Sequence, residues 1–340
     1  MIGGKVQMKK KIANENAQIR QVELFTSGVD GYHTYRIPAI VVATDGTILA
    51  FCEGRKNSAR DDGDIDLALK RSFDNGITWQ NMQVIADDGD NTMGNPCPVV
   101  DRDTGVIWLP LCKNNDRVYV MKSTDNGATW SNPVDITKDV KLSSWGWYAT
   151  GPGHGIQLKN GRLVIPCDHR ESKTLHSHVF YSDDHGCSWK LGGVLGEDTN
   201  ECEVVETRAG SLYINMRSYK GNNRRAYAWS KDGGITWSEV FEDETLIEPV
   251  CQASIVRYDE NRVLFSNPAN TKREKMTVRV SYDGCRTWTV SKVLNPGPSG
   301  YSDLAIAPDM TICCLYERGE ADYRETITVA QFNIEWFSKT

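Results

Sequence analysis

Three arginines of this 340-residue chain occupy similar positions beside strand-like runs. Arg36 lies in YRIPAI before an apolar stretch, Arg217 ends SLYINMR, and Arg273 lies in NTKREKMTV before another β-rich run. Guanidinium groups repel one another unless an anion joins them, and their planar donors match the two oxygens of a carboxylate. If a repeated fold brings equivalent positions together, these side chains form a cationic site for a carboxylate ligand on an otherwise acidic protein.

Acidic and phenolic side chains recur in short segments between the β-rich runs. The segments are ECEVVE with Glu201, GYSDL with Tyr301, LYE with Glu317, and NSARDDGDID with Asp61 and Asp62. Carboxylates serve as general acids and bases, and a phenol becomes a nucleophile once a base removes its proton. Each segment alone also fits a surface turn or an acidic edge strand, so a structural interpretation stays open beside the catalytic one.

An octapeptide with the pattern Ser-x-Asp-x-Gly-x-Thr/Ser-Trp, an Asp box, occurs five times and indicates a repeat architecture. The copies span residues 72–79, 123–130, 182–189, 230–237 and 281–288, and the fifth has Cys285 where the others have glycine. The aspartate can accept hydrogen bonds within its own turn, and the glycine can take a positive φ. We expect the tryptophans to pack against their own turns, on the rim opposite the ligand site.

The copies recur roughly every fifty residues, a period that fits one four-stranded propeller blade. The intervening sequence offers short β-rich runs such as AIVVA, TILAFCE and VIWLPLC, separated by turn residues. The chain has room for six such units, so we predict an all-β fold, a six-bladed β-propeller with Asp-box repeats. The last run, ETITVAQFNIEWF, should pair with the N-terminal segment and leave few exposed sheet edges.

The domain organisation follows from the absence of any linker within the repeats. Residues 1–20 are polar and basic and are predicted to be a flexible tail, and residues 21–340 form a single propeller domain. The start of the chain lacks the apolar core of a signal peptide, and no apolar run is long enough to span a membrane. These features favour a cytoplasmic location, although secretion with a removed signal stays open.

Composition argues against several classes of ligand. The net charge of −6 is unlike that of a nucleic-acid-binding protein, and no glycine-rich phosphate loop is present. The ten cysteines form no CxxC pair and lie mostly in strand-like runs, which predicts buried thiols in a reducing compartment. His169, His176 and His178 lack a metal-ligand spacing, so we expect neither a metal nor another cofactor.

The complete set of motifs resembles the sialidases, also called exo-α-neuraminidases. It comprises YRIP, the Asp boxes, NECEVVE followed by NMRS, and GYSDL followed by LYE, in family order from about residue 24 to the end. One Asp box alone also occurs in unrelated propellers, whereas the combined set is specific. The resemblance implies a catalytic domain, a retaining exo-sialidase that removes terminal α-linked sialic acids from glycoproteins, gangliosides and oligosaccharides through a covalent tyrosyl intermediate.

The resemblance also implies which residues would hold the sugar. Three arginines would bind the sialic acid carboxylate: Arg36, Arg217 and Arg273. Glu317 would hold Arg36 in place, and Glu53 and Arg55 in CEGR would contact ring hydroxyls. The segment WGWYATGPGHG, residues 145–155, would contact the glycerol or N-acetyl arm, or would simply fill the core as an aromatic loop.

The reacting groups implied by the resemblance are Tyr301 as nucleophile, Glu201 as its base, and Asp61 as acid/base, with adjacent Asp62 as the alternative. Sialic acid carries a carboxylate on its anomeric carbon, which would repel a carboxylate nucleophile, and the tyrosine of sialidases is a known exception to the two-carboxylate rule. A phenol is neutral but has a pKa of about 10, so Glu201 must remove its proton while the arginines stabilise phenolate. Burial or bound substrate must raise the pKa of an exposed Asp61 for acid catalysis.

Two alternatives to a hydrolase stay open at this point. A non-catalytic Asp-box propeller could bind glycans, but it would need neither the tyrosine–glutamate pair nor the arginine triad. A trans-sialidase would use the same residues and transfer the sugar to an acceptor. The sequence does not separate the second alternative from hydrolysis.

Overall fold

β-Strands dominate the protein in the computed structural model, which describes residues 19–338. The first strands are β1 (Arg20–Thr26), β2 (Thr34–Val42), β3 (Ile48–Arg55), β4 (Ile65–Ser72), β5 (Gln83–Ala86), β6 (Met93–Gly94), β7 (Val99–Val100), β8 (Ile107–Lys113), β9 (Arg117–Ser123), β10 (Val134–Asp135), β11 (Trp145–Thr150) and β12 (Ile156–Gln157). Residues 1–18 of the predicted tail lie outside the described residues.

The second half of the chain continues in the same way. Its strands are β13 (Leu163–Glu171), β14 (Thr174–Ser182), β15 (Lys190–Glu197), β16 (Thr199–Glu206), β17 (Leu212–Ser218), β18 (Arg224–Ser230), β19 (Phe241–Ile247), β20 (Ser254–Arg257), β21 (Val263–Pro268), β22 (Glu274–Ser281), β23 (Val290–Ile306), β24 (Ile312–Arg318) and β25 (Thr326–Phe332). The described helices are α1 (Thr137–Val140) and a 3₁₀ helix (Ile334–Ser338), and none of them has the length and apolar character to cross a membrane.

The strands form antiparallel sheets in which strands adjacent in the chain pair with each other. The sheet orders are β2-β3-β4-β5, β10-β9-β8 with β6 and β7, β11-β13-β14-β15 with β12, β16-β17-β18-β19, and β1-β25-β24-β23-β22-β21-β20. Neighbouring sheets contact each other through their inner strands: β2 contacts β23, β16 contacts β20, and β13 contacts β16. The all-β fold and the propeller-like arrangement are therefore confirmed.

The prediction of six separate blades is wrong. Four sheets have the four or five strands of a single blade, and the fifth has seven strands. The reason is β23, an unbroken strand of 17 residues that pairs with β22 up to Pro298 and with β24 from Ser299 onward. Two groups of four strands share β23 and so form one continuous sheet.

The two ends of the described chain meet in the seven-stranded sheet. β1 pairs with β25 from Arg20 opposite Gln331 to Thr26 opposite Thr326, which is the pairing expected from the sequence. Phe25 of β1 is buried and lies 5.4 Å from the ring of Tyr35. The N-terminal strand thereby covers the edge of β25, which would otherwise present unpaired backbone groups.

Each Asp box is the turn between the last two strands of a four-stranded group. In the first box, the backbone N–H of Gly76 donates to Ser72 Oγ at 2.8 Å and Asp74 Oδ1 accepts from the backbone of Thr78 at 2.8 Å. In the fifth, Cys285 takes the glycine's part with φ of 71°. The box tryptophans pack in the hydrophobic clusters and are buried or half-buried: Trp79, Trp130, Trp189, Trp237 and Trp288.

Irregular pairing marks the inner strands near the centre of the molecule. The register shifts within 36–39 of β2, 145–148 of β11, 199–202 of β16 and 299–302 of β23. Ile37 has φ of 61°, an unfavourable conformation for a β-branched residue. Bulges of this kind bend a strand and re-aim its side chains, so four strands turn side chains towards one place.

Candidate active site

A cavity of about 450 Å³ lies where these irregular strand segments meet. Its walls include eight of the nine residues singled out from the sequence: Arg36, Glu53, Arg55, Asp61, Glu201, Arg217, Arg273 and Tyr301. The ninth, Glu317, is fully buried and contacts Arg36. A larger groove of about 1040 Å³ lies between the sheet of β16–β19 and the seven-stranded sheet and contains none of the nine. None of the box tryptophans lines the 450 Å³ cavity, as expected.

The three arginines converge with only partial charge compensation. Arg36 Nε donates to Glu317 Oε1 at 2.6 Å, and Arg217 Nη1 donates to Glu201 Oε2 at 2.8 Å. Arg273 Nη1 donates to the neutral hydroxyl of Tyr323 at 3.0 Å, and it has no carboxylate within 4.0 Å among residues 19–338. The cavity therefore keeps an excess positive charge that a carboxylate ligand can neutralise.

Tyr301 and Glu201 form the centre of the cavity. The Tyr301 hydroxyl donates to Glu201 Oε1, and Arg217 Nη1 lies 3.2 Å from the same hydroxyl. Burial raises the pKa of Tyr301 well above its usual value, and so does the charge of Glu201, while Arg217 and Arg273 oppose the shift. The resting phenol is therefore protonated. The arginines favour phenolate as expected, but burial and Glu201 outweigh them in the ligand-free state.

Glu317 connects the first arginine to the strand that carries the phenol. Its Oε1 accepts from Arg36 Nε and, at 3.1 Å, from the backbone of Ile37. Its Oε2 accepts from the backbone N–H of Tyr301 at 2.9 Å. One buried carboxylate thus fixes the bulge of β2 against the bulge of β23, and it sets the distance between guanidinium and phenol.

Asp61 enters the cavity from the loop between β3 and β4. Arg55 Nη1 lies 2.7 Å from Asp61 Oδ1, and Arg55 also binds Glu53 Oε2 at 2.7 Å. The Asp61 side chain is 71% exposed. Asp62 instead pairs with Arg60 at 2.8 Å and does not line the cavity. Position therefore favours Asp61 over Asp62 as the residue that meets a ligand.

Comparisons with known proteins agree with this arrangement. The model of the BNR repeat-like domain family matches residues 46–314. An exo-alpha-sialidase of Aspergillus fumigatus is 32% identical over 94% of this chain and 89% of its own length, and a sialidase of Bacteroides fragilis is 34% identical over 87% of this chain and 62% of its own. The chain belongs to the sialidase family.

A solved structure of a Hadza microbial sialidase supports the same assignment. It superposes with a TM-score of 0.84 at 32% identity, over 92% of this chain and 68% of that one. A sialidase of Micromonospora viridifaciens is 34% identical over 92% of this chain. The chain spans less than two thirds of the length of the Bacteroides and Micromonospora sialidases, 62% and 54%.

The sialidase-family cavity also contains residues that the motifs did not reveal. The ring of Tyr323 lies 5.4 Å from the Arg36 guanidinium and 5.2 Å from that of Arg273. Asn115 and Asp168 line the cavity as well. No motif marked these positions. The available signal for Asp168 was a carboxylate directly after the apolar run LVIPC, where a buried strand rarely carries a charge.

The aromatic segment after α1 divides between the cavity and the core. Trp147 lines the cavity, whereas Trp145 is buried and stacks on His169 with 3.4 Å between ring centres. His176 and His178 pack in the same interior group. The segment therefore fills the core with Trp145 and contributes Trp147 to the cavity wall, while its contact with a ligand stays a prediction.

Two groups of the described residues place histidine and carboxylate atoms within 4.8 Å of one another. They are Asp101 with Asp103 and His185, and His154 with Glu203 and Asp303. Neither group lines the cavity. The ten cysteines are unpaired, and only Cys187 is exposed, so the thiols are placed as expected while their compartment stays a prediction.

Proposed function

We propose that this chain is a retaining exo-sialidase that hydrolyses terminal α-linked sialic acids of glycoconjugates through a covalent tyrosyl-sialyl intermediate. One observation carries the proposal: the buried Tyr301 phenol donates to Glu201 within reach of Arg217. This phenol is paired with a carboxylate base and lines the cavity that also contains the three arginines. Within a cationic cavity it is an activated nucleophile for a substrate that is itself an anion.

Binding begins with the substrate carboxylate, which the three arginines would grip. This contact places the anomeric carbon, to which the carboxylate is attached, over the Tyr301 hydroxyl. Glu201 removes the phenolic proton as the oxygen attacks, and Asp61 gives a proton to the departing glycosidic oxygen. Water then attacks the same carbon, Asp61 takes its proton, and Tyr301 leaves with the proton returned from Glu201. Two displacements at one carbon retain its configuration.

Arg217 would stabilise the charge that moves during attack. Its Nη1 lies within hydrogen-bond distance of both the Tyr301 oxygen and Glu201 Oε2. When the proton passes to Glu201, the negative charge moves to the phenolic oxygen and stays beside the same guanidinium. A donor that is already in place for the developing charge needs no reorganisation during the reaction.

The proposal is tested by release of 4-methylumbelliferone from its α-glycoside of N-acetylneuraminic acid, with and without lactose. We expect release at the same rate in both cases, with free sialic acid as the product. Formation of sialyllactose would assign a trans-sialidase. A folded protein that binds sialylated glycans but releases nothing would be the non-catalytic binding propeller, and the proposal would be wrong.

A further inference from the structure

A further pocket, of about 450 Å³, lies at the C-terminal ends of β2, β16 and β23, and we call it the rear pocket. In β2, Arg36 lines the candidate active site and Val42 lines the rear pocket, and in β23 Tyr301 and Ile306 are divided in the same way. The five or six positions between these residues span about 16–20 Å of extended strand. The two cavities share no lining residue and are therefore separate.

The wall of the rear pocket carries a ring of aliphatic side chains. The inner strands β2, β7, β12, β20 and β23 each contribute one half-buried residue to it. These residues are Val42, Val100, Ile156, Val256 and Ile306. Exposed hydrophobic residues need no explanation when they are scattered, but residues grouped in a recess mark a binding site for an apolar ligand.

The polar groups inside the rear pocket already have partners within the protein. The buried His154 lines the pocket, and its Nδ1 lies 2.7 Å from Oδ1 of the buried Asp303. In the described part of the chain, no lining residue has a buried side-chain nitrogen or oxygen without a hydrogen-bond partner. The interior therefore offers packing to an apolar chain and no free partner to a polar group.

The outer edge of the rear pocket is cationic. Its lining includes Arg102, Lys159 and Arg257, and Glu206 is its one carboxylate. Among residues 19–338, Arg102 has no carboxylate within 4.0 Å, and Lys159 and Arg257 share the single carboxylate of Glu260 at 3.8 and 4.0 Å. The edge therefore keeps an excess positive charge beside an apolar interior, which is the charge pattern that complements an anion with an apolar tail.

We propose that the rear pocket binds a fatty acid. The alkyl chain packs against the aliphatic ring, and the carboxylate meets Arg102 and Arg257, whose planar donors match its two oxygens. The volume lies within the range of small-molecule sites. Because the aliphatic residues line a recess, they can surround one chain from several sides, which favours a single lipid chain over a flat membrane surface. This site is independent of the proposed sialidase reaction.

The first test is calorimetric titration of the wild-type protein with octanoate, decanoate and 1-octanol below their aggregation concentrations. Burial of one methylene group lowers Kd by about fourfold, so decanoate should bind roughly tenfold more tightly than octanoate. 1-Octanol lacks the charge and should bind several-fold more weakly than octanoate. Equal affinities for the two acids would show that the chain is not buried, and 1-octanol binding as tightly as octanoate would exclude the carboxylate contact. Either result would overturn the inference.

Two aspartate substitutions locate the alkyl chain. Ile156→Asp places a charge in the aliphatic ring and should weaken decanoate binding by more than about tenfold. Val194→Asp is the matched control, since Val194 is a 45% exposed residue of β15 outside the rear pocket, and it should leave Kd unchanged. Equal affinities in the two variants would overturn the inference.

Two charge reversals locate the carboxylate. Arg102→Glu should weaken decanoate binding by roughly tenfold, because an attractive charge becomes a repulsive one. Arg273→Glu has the same net charge and also reverses an arginine without a carboxylate partner among residues 19–338, but in the candidate active site. It should leave Kd unchanged. A loss confined to Arg273→Glu would place the fatty acid at the arginine triad and overturn the inference, as would unchanged affinity in both variants.

Discussion

At the scale of single residues, the proposed reaction depends on one proton, which the Tyr301 hydroxyl donates to Glu201. Tyr301→Phe removes the oxygen that would attack, while the ring keeps its packing 5.0 Å from Arg36 and 5.4 Å from Arg273. Turnover of the 4-methylumbelliferyl glycoside should therefore fall by several orders of magnitude, and binding of a carboxylate inhibitor should persist. Glu201→Gln should cause a smaller loss, because the phenol remains without its base.

Tyr323→Phe is the matched control for the nucleophile. This tyrosine lines the same cavity and packs on the same arginines, but its hydroxyl only accepts from Arg273. Losing one neutral acceptor should cost less than about tenfold in kcat/KM. If the two tyrosine variants lost activity equally, Tyr301 would have no special chemical role.

Arg217→Lys tests the triad. Lysine keeps the charge but loses the planar donor pair, so affinity for 2-deoxy-2,3-didehydro-N-acetylneuraminic acid should fall by roughly 10- to 100-fold. Arg257→Lys is the control, since Arg257 donates to the carbonyl of Glu206 and does not line the cavity. Calorimetric titration measures both. Equal affinities in the two variants would show that Arg217 does not bind the carboxylate.

The adjacent aspartates of the β3–β4 loop offer a direct comparison. Asp61→Asn should reduce hydrolysis of sialyllactose, whose lactose alkoxide is a poor leaving group, far more than hydrolysis of the 4-methylumbelliferyl glycoside, which needs little acid assistance. Asp62→Asn should affect neither, because Asp62 pairs with Arg60 outside the cavity. The ratio of the two rates for each variant is the measurement. A changed ratio for Asp62→Asn alone would move the acid to Asp62.

At the scale of elements, a buried group of charged residues lies on the same strands as Glu201 and Tyr301. Glu203 lies two residues after Glu201 in β16, and Asp303 lies two residues after Tyr301 in β23. His154 Nδ1 lies 2.7 Å from Asp303 Oδ1 and 3.8 Å from Glu203 Oε2. The group therefore connects the two strands that carry Glu201 and Tyr301.

Because of His154, the free energy of unfolding should decrease at alkaline pH. Burial lowers the pKa of His154, but the charges of Asp303 and Glu203 outweigh it and raise the pKa from 6.5 to about 9. The stabilisation from His154 is then complete below pH 6.5 and is lost as the pH rises through 9, by about 3 kcal/mol in all. Urea unfolding at pH 7 and pH 10 should show this loss in wild type and much less of it in His154→Gln. The same loss in both proteins would exclude His154 as its source.

The elements also show where sequence information ends. Strand runs and Asp-box turns could be predicted because they depend on local patterns, as in SFDNGITW. The bulges could not be predicted, and Arg36 lies inside β2 rather than before it. The backbone N–H of Ile37, in the bulge of β2, donates to the buried Glu317 from the other end of the chain. A contact between such distant residues leaves no local pattern in the sequence. Asn115 and Asp168 were missed for the same reason. They come from separate chain segments that meet in the cavity wall only in the folded protein.

At the scale of the whole molecule, the repeats that build the scaffold lie apart from the chemistry. Trp189 is buried and packs edge-on against Trp108 and Phe180, whereas Trp130 is half-buried on Phe51. Trp189→Ala should lower the free energy of unfolding by about 3–5 kcal/mol, and Trp130→Ala by less. Neither lines the cavity, so kcat/KM at 25 °C should stay near wild type. A selective loss of kcat/KM in a folded variant would contradict this separation.

The number of sheets is a property of the whole molecule that the repeat count did not predict. Five boxes and the chain length indicated equal units, but the hydrogen bonds of β23 run from one four-stranded group into the next. Nothing in VSKVLNPGPSGYSDLAI, with its prolines and glycines, indicated a continuous strand of 17 residues. Its continuity depends on partners on both sides, which tertiary structure supplies.

The most direct measurement of the central claim is the identity of the covalently modified residue. A 2,3-difluoro sialic acid should react with wild-type protein to give an adduct that is stable enough for mass spectrometry, because the fluorine on carbon 3 slows hydrolysis of the intermediate. We predict that peptide mapping places the sugar on Tyr301 and that Tyr301→Phe forms no adduct. An adduct on Glu201 or Asp61 would contradict the account, because the nucleophile would then be a carboxylate.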